Sequence, residues 1–236
     1  MINSRSLLAV IPARGGSRGI KDKNIRELAG KPLIAWTIEA AKKSKYIDRT
    51  IVSTDSTKIA DISRTWGAEV PFIRPPGLAT DRASTNDVIL HGLKWIGQNE
   101  HKAYDDFVLL QPTSPLRNSS HIDDAVEKLV ADRNADSLVS VVASKENPHW
   151  TKIIDKRGRL LPFLPEHEHP SRRQDLPKTY ALNGAIYISK SKTFMTNPDF
   201  FGGKCLAFIM DHKSSVDIDD EDDFFYAEYL IARRKI

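Results

Sequence analysis

Ala9-Val10-Ile11-Pro12-Ala13-Arg14-Gly15-Gly16-Ser17-Arg18-Gly19-Ile20-Lys21-Asp22-Lys23-Asn24 couples an apolar run to a glycine-rich, cationic turn. Leu7 to Ile11 is short and apolar, the pattern of a buried strand. Pro12 lacks an amide hydrogen and ends the ladder. Gly15, Gly16 and Gly19 follow, with Ser17 among them. Glycine admits left-handed backbone and the close approach of a ligand, and successive N–H groups can wrap an anion. Arg14, Arg18, Lys21 and Lys23 surround the turn. A first strand running into such a turn points to a phosphate site at the carboxyl end of a sheet. The competing reading is a solvated strand-to-helix turn with incidental charge. That reading leaves Gly30-Lys31-Pro32-Leu33, a second turn leading into a helix, without a purpose.

Neither G-x-x-x-x-G-K-[ST] nor G-x-G-x-x-G is present, which argues against a P-loop hydrolase or a dinucleotide oxidoreductase. The chain has 236 residues, enough for one sizeable core. Hydrophobic residues make up 40% and charged residues 28%, the balance of a soluble globular protein. The 35 cations nearly offset 31 anions, and no aromatic-interleaved basic stripe occurs, so nucleic acid is not an expected partner. A single cysteine, Cys205, suits a reducing compartment and lies beside an apolar strand pattern. The apolar segments are too short for a signal peptide or a membrane span, so a cytoplasmic location with no membrane partner is expected.

Strand and helix patterns alternate from Leu7 to Val142. Ile34, Ile38 and Ala41 share a helical face, Arg49 to Ser53 reads as a strand, and Ser56 caps a helix ended by Gly67. Glu69 to Ile73 reads as a short strand. After an irregular Arg74-Pro75-Pro76-Gly77, Ser84 or Thr85 caps a helix, although either hydroxyl also suits ligand contact. His91, within that helix, reads as a surface histidine. Asp106 to Leu110 is a strand that delivers Gln111 to the stiff loop Pro112-Thr113-Ser114-Pro115. A helix from Ser119 or Ser120 and a strand from Ser137 follow. This alternation predicts an α/β fold, a sheet with helices on both faces.

From Ser144 the pattern breaks. Lys152 to Leu161 reads as a hairpin around Lys156-Arg157-Gly158, and four prolines limit regular structure after it. Lys145 to Lys178 is expected to form an arm that reaches a second subunit. Glu166-His167-Glu168-His169 lacks the helical spacing of a zinc site. Arg172 and Arg173 precede a strand from Asn183 to Ile188; they suit either a carboxylate or the plain surface. Between Asp211 and Asp223 lie seven acids in thirteen residues. Asp219 is expected to cap the last helix. Val216-Asp217-Ile218-Asp219 alternates, which on a short strand puts both aspartates on one face, where a cation would relieve their repulsion. Magnesium suits such a pair, since it takes few protein carboxylates together with phosphate oxygens.

Four blocks in order resemble the acylneuraminate cytidylyltransferases, which make CMP-activated sialic acids and related nine-carbon sugars. They are Ile11 to Gly19 with Lys23-Asn24 and Gly30 to Leu33; Leu109 to Arg117; Asn183 to Ile188; and Ser215 to Asp219. The resemblance spans nearly the whole chain. It implies a three-layer, mostly parallel, Rossmann-like nucleotidyltransferase domain over 1–236 with a protruding dimerisation arm at 145–178, and a homodimer. It implies that Arg14, Ser17, Lys23 and Asn24 contact the nucleotide phosphates and that Arg74, Ala83, Ser84 and Thr85 hold the cytidine. It places Gln111 and Arg173 at the sugar and Asp217 with Asp219 on Mg²⁺, with Arg14, Lys23, Asp217 and Asp219 as the catalytic set. The implied reaction transfers CMP from CTP to the anomeric hydroxyl of a nonulosonic acid and releases pyrophosphate. One departure stands out. Sialic acid members tend to carry a lysine where this chain has Trp150. Leu176 to Tyr180 and Met210 to Ser215 look more like members that activate legionaminic acid. N,N'-diacetyllegionaminate is therefore the favoured sugar over N-acetylneuraminate or pseudaminate. A non-catalytic nucleotide-binding module is the alternative of another class.

Overall fold

The first strand shows why the sheet must be covered twice. Side chains alternate across a strand, and in β1 (Leu7–Pro12) both sets are apolar and buried. Leu7, Ala9 and Ile11 enter one core cluster, while Leu8 and Val10 enter another. A computed structural model describes residues 5–16, 19–164 and 176–234. After β1 come two-residue strands β2 (Glu27–Leu28) and β3 (Lys31–Pro32), helix α1 (Leu33–Lys43), β4 (Arg49–Ser53), α2 (Thr57–Thr65), α3 (Thr85–Asn99) and β5 (Asp106–Leu109). The chain continues through α4 (Ser119–Ala131), β6 (Ser137–Ala143), β7 (Lys152–Ile154), β8 (Leu160–Pro162) and β9 (Tyr180–Lys190). It closes with α5 (Ser191–Thr196), β10 (Cys205–Met210) and α6 (Glu221–Arg234).

The main sheet has six strands in the order β10-β6-β9-β5-β1-β4. Every neighbouring pair is parallel except the two that include β9. This is the three-layer, mostly parallel arrangement that the resemblance implies, with the helices on both faces that the alternation predicts. Apolar residues of α1, α2 and α4 cover one face; those of α3 and α5 cover the other. Each fully buried Leu or Ile contributes about 1.5–3 kcal/mol, whereas an exposed ion pair is worth about 0–1 kcal/mol. The layers are held by their cores.

Local signals perform well. The Ser56 hydroxyl accepts from Ile59 N and caps α2, and Gly67 ends it at φ +87°. Ser84 caps α3 by accepting from Asp87 N. Four expectations change. Glu69 to Ile73 forms only two isolated bridges, Ile51 with Glu69 and Thr54 with Ile73. Val216 to Asp219 is not a strand: it is irregular chain, held by Ile218 N donating to Thr113 O in the loop after β5 at 2.8 Å. Its apolar alternation survives because Val216 and Ile218 anchor in the small core beneath α6. Asp220, not Asp219, caps α6 by accepting from Asp223 N at 3.0 Å. His91 is half-buried and edge-on to Phe72, with ring centroids 4.8 Å apart. Burial, then the nearby Arg74 charge, pushes its pKa down.

β7 and β8 pair with each other outside the main sheet. This hairpin belongs to the segment expected to form an arm. The acidic-histidine run at 166–169 lies outside the described residues. Among the described residues, no helix is long and apolar enough to cross a membrane.

Candidate active site

In an open α/β sheet, ligands bind where the strand order reverses, beyond the carboxyl ends. Here the chain leaves β1 for β4 on one side and later returns to β5 on the other. The reversal falls between β1 and β5, whose ends deliver Arg14 and Gln111. A cleft of about 540 Å³ opens there. Arg14, Lys23, Asn24, Arg74, Ala83, Thr85, Gln111 and Asp219 line it, all drawn from the sequence-derived set. Ser84 does not: it is exposed, and its hydroxyl is engaged with Asp87. Asp217 sits just behind the lining, beside Gln111 and Gly184. Ser17 and Arg173 lie outside the described residues.

The cationic loop is tied down at several points. Gly15 N donates to Asp55 Oδ1 at 2.9 Å, and Ala13 N donates to Ser53 O at 2.9 Å. Buried Asn24 donates to the Arg14 carbonyl at 3.0 Å, so its side chain shapes the loop from behind. Arg14 Nη1 meets Asp81 Oδ1 at 2.7 Å, and both side chains remain partly exposed. Arg74 is buried, with donors directed to the carbonyls of Ser53 and Leu78. Burial lowers its pKa, Asp55 opposes that, and Arg14 adds to it. Asp81 is absent from the sequence-derived set, since an aspartate in an irregular loop carries no local signal of its partner.

The basic loop and the acidic segment touch. Lys23 Nζ donates to Ile218 O at 2.7 Å and lies 3.5 Å from Asp219 Oδ1. Gly19 explains how they come so close: a Cβ there would fall 2.3 Å from the Asp219 carbonyl oxygen. The glycine that reads from sequence as room for a ligand is room for the acidic segment.

The two aspartates differ in environment. The Asp219 side chain is 81% exposed, which leaves it free to engage a ligand. Asp217 is largely buried, and its Oδ1 has no hydrogen-bond partner among the described residues. Burial raises its pKa most; the Asp219 and Asp223 charges raise it further, while Thr113 and Lys23 oppose. A carboxylate held this way favours a proton or a cation. No group of three or more potential metal-ligating side chains occurs among the described residues.

The stretch of β9 beside Asp217 is irregular. The β6–β9 register shifts between Val139 and Val141, and Gly184 adopts φ +72°. Asn183 holds this bulge. Its Oδ1 accepts from Ser140 Oγ at 2.6 Å, and its Nδ2 donates to Ser215 Oγ at 2.9 Å. One buried amide thus links the sheet to the segment that carries Asp217.

Comparison with known proteins fits this geometry. Residues 8–202 match the family model described as Cytidylyltransferase. The chain belongs to the cytidylyltransferase family. It is 40% identical over 234 residues to the CMP-N,N'-diacetyllegionaminic acid synthase of Legionella pneumophila, covering 95% of this chain and 96% of that protein. It is 39% identical over 218 residues to the N-acylneuraminate cytidylyltransferase of Escherichia coli O18:K1:H7. That match covers 92% of this chain but spans 50% of the relative's length. A pseudaminic acid cytidylyltransferase of Campylobacter jejuni is 32% identical, covering 94% of this chain and 95% of the relative. Among solved structures, CMP:2-keto-3-deoxy-manno-octonic acid synthetase complexed with CTP superposes with a TM-score of 0.73 at 17% identity. It covers 97% of this chain and 99% of the other, a likeness of fold. This cytidylyltransferase shares with that structure a fold built on a mostly parallel sheet.

Proposed function

We propose that this cytidylyltransferase transfers CMP from CTP to the anomeric hydroxyl of a nonulosonic acid, with N,N'-diacetyllegionaminate as the favoured sugar. The observation that carries the reading is the contact between the cationic loop and the acidic segment at the β1–β5 switch point. One side suits a triphosphate, the other its counter-cation. Relatives named for sialic, legionaminic and pseudaminic acids support the sugar class. The full-length match to the legionaminic acid synthase and the presence of Trp150 support the choice within it.

In the reaction the sugar hydroxyl oxygen forms a bond to the α-phosphorus, the bond to the β-phosphate oxygen breaks, and the hydroxyl proton is released. Arg14 and Lys23 hold phosphate oxygens; Arg14 exchanges Asp81 for the ligand. Ala83 and Thr85 line the nucleotide end of the cleft, and Gln111 meets the sugar. Arg173 is suited to grip the sugar carboxylate with two parallel hydrogen bonds. Asp217 and Asp219 suit Mg²⁺: hard oxygen donors, one of them with an unpartnered buried oxygen and a raised pKa. An ion held by Asp217 and Asp219 would supply charge to offset the phosphates and would lower the pKa of an attacking hydroxyl. Alignment and charge neutralisation supply most of the rate.

A homodimer accompanies this reading. Ile154, Leu160, Leu182 and Ile209 are all more than half exposed on the hairpin, β9 and the edge strand β10. A second copy of the chain would cover them, and light scattering reads the mass directly. The decisive assay is pyrophosphate release from CTP with legionaminate, N-acetylneuraminate and pseudaminate in parallel. No release with any of the three overturns the reading and favours a nucleotide-binding module.

A further inference from the structure

Arg117, 2% exposed, is one of the largest fully buried side chains among the described residues, and no carboxylate among them pairs with it. Its Nη1 donates to two carbonyls, Gln111 O at 3.1 Å and Ala185 O at 3.2 Å. Nε and Nη2 have no partner among the described residues. Burial alone pulls its pKa down to about 9, which leaves it charged at neutral pH. A buried, unpaired charge is destabilising relative to an apolar side chain of similar shape. Core packing therefore gives no reason for an arginine here.

The two carbonyls supply one. The β5–β9 ladder runs from Asp106–Lys190 to Leu109–Tyr187 and stops. Two residues further on, the same register would set Gln111 opposite Ala185. Instead each turns its carbonyl to the guanidinium. β5 is still held on its other side, where Leu110 N donates to Val10 O at 3.1 Å. The separation is thus confined to the β9 side, next to the bulge at Gly184 and the carboxylate of Asp217.

We propose that Arg117 is a positioning residue: its guanidinium bridges the strands where their ladder ends and holds Gln111 and the Gly184 bulge apart for the sugar. Arg117 touches neither substrate and acts through Gln111. The proposal rests on the sugar-transfer reading above.

The test compares Arg117→Met, which keeps the bulk without donors or charge, with Arg117→Lys, which keeps one charged donor group. Three readouts are taken: CTP affinity by calorimetry, kcat/KM for the sugar, and the side-chain amide NMR signal of Gln111, assigned by its loss in Gln111→Leu. Arg117→Met should melt no lower than the parent and bind CTP equally well. Its Gln111 signal should move, and sugar kcat/KM should fall at least tenfold, with partial recovery in Arg117→Lys. An unmoved Gln111 signal, or sugar kcat/KM equal to the parent's, overturns the proposal. So does failure of both variants to fold, or a parallel loss of CTP binding, either of which would make Arg117 a plain structural support. If the parent releases no pyrophosphate with any sugar, the functional reading fails, and the Gln111 signal still decides whether Arg117 sets its geometry.

Discussion

Replacing Gly184 by alanine tests the geometry of the proposed sugar and metal junction with one methyl group. The residue sits at φ +72°, a conformation that costs an L-residue roughly 1–2 kcal/mol. In a chain of this size each kcal/mol lowers Tm by about 2–4 °C, so a fall of roughly 2–8 °C is expected. The new Cβ would lie 3.2 Å from Gln111 Oε1 and 3.3 Å from Asp217 Oδ2, both inside ordinary contact distance. Each group must yield by a fraction of an ångström. A misplacement of 1 Å costs on the order of 10²-fold in rate, so roughly a tenfold loss of kcat is expected for the smaller shift. Arg14 lies across the cleft, on the loop after β1, so CTP affinity should hold. Pyrophosphate release at saturating CTP measures the first effect, calorimetry the second and scanning calorimetry the stability. Parental turnover would refute the reasoning, as would a loss of CTP binding that matches the loss of turnover.

Asp217→Asn and Asp219→Asn should each cut turnover strongly with the fold intact; normal activity of both at saturating Mg²⁺ would reject the metal role. Because burial raises the Asp217 pKa, the group takes up its proton at higher pH than an ordinary carboxylate. Apparent Mg²⁺ affinity should therefore weaken on acidification while ordinary carboxylates are still ionised, and Asp217→Asn should abolish that limb of the pH titration. Arg14→Ala and Lys23→Ala should each weaken CTP binding or turnover by about 1.5–3 kcal/mol, the range for hydrogen bonds to charged groups. Lys21→Ala should do much less, and equal losses at all three would indicate a diffuse patch. Legionaminate should show the higher kcat/KM, with Trp150→Lys narrowing its lead and Arg173→Lys impairing every sugar. One apolar contact discriminates by only about 1–3 kcal/mol, so side-by-side kinetics should still detect N-acetylneuraminate turnover.

The periodic and local features of this fold are legible in the chain. Both faces of β1 are apolar, so a two-sided sheet follows without any tertiary contact. Ser56, Gly67 and Ser84 act within one turn of their own helices, and neighbours in sequence suffice to read them. The four blocks point to the site because each carries its residues in fixed order. What lies between blocks needed the tertiary structure. The reversed direction of β9 depends on where the chain goes after the β7–β8 hairpin, not on the composition of the strand. Asp217 and Asp219 are two residues apart with the same side chain, yet one is largely buried and the other exposed, because Ile218 pins the segment against Thr113. Arg117 carries no local mark of burial in the sequence, and Gly19 reads as room for a ligand. Folding seals the first beneath the ladder's end and fits the second against the Asp219 carbonyl. Burial and the packing of distant segments are properties of the whole assembled chain, so no short window of residues contains them.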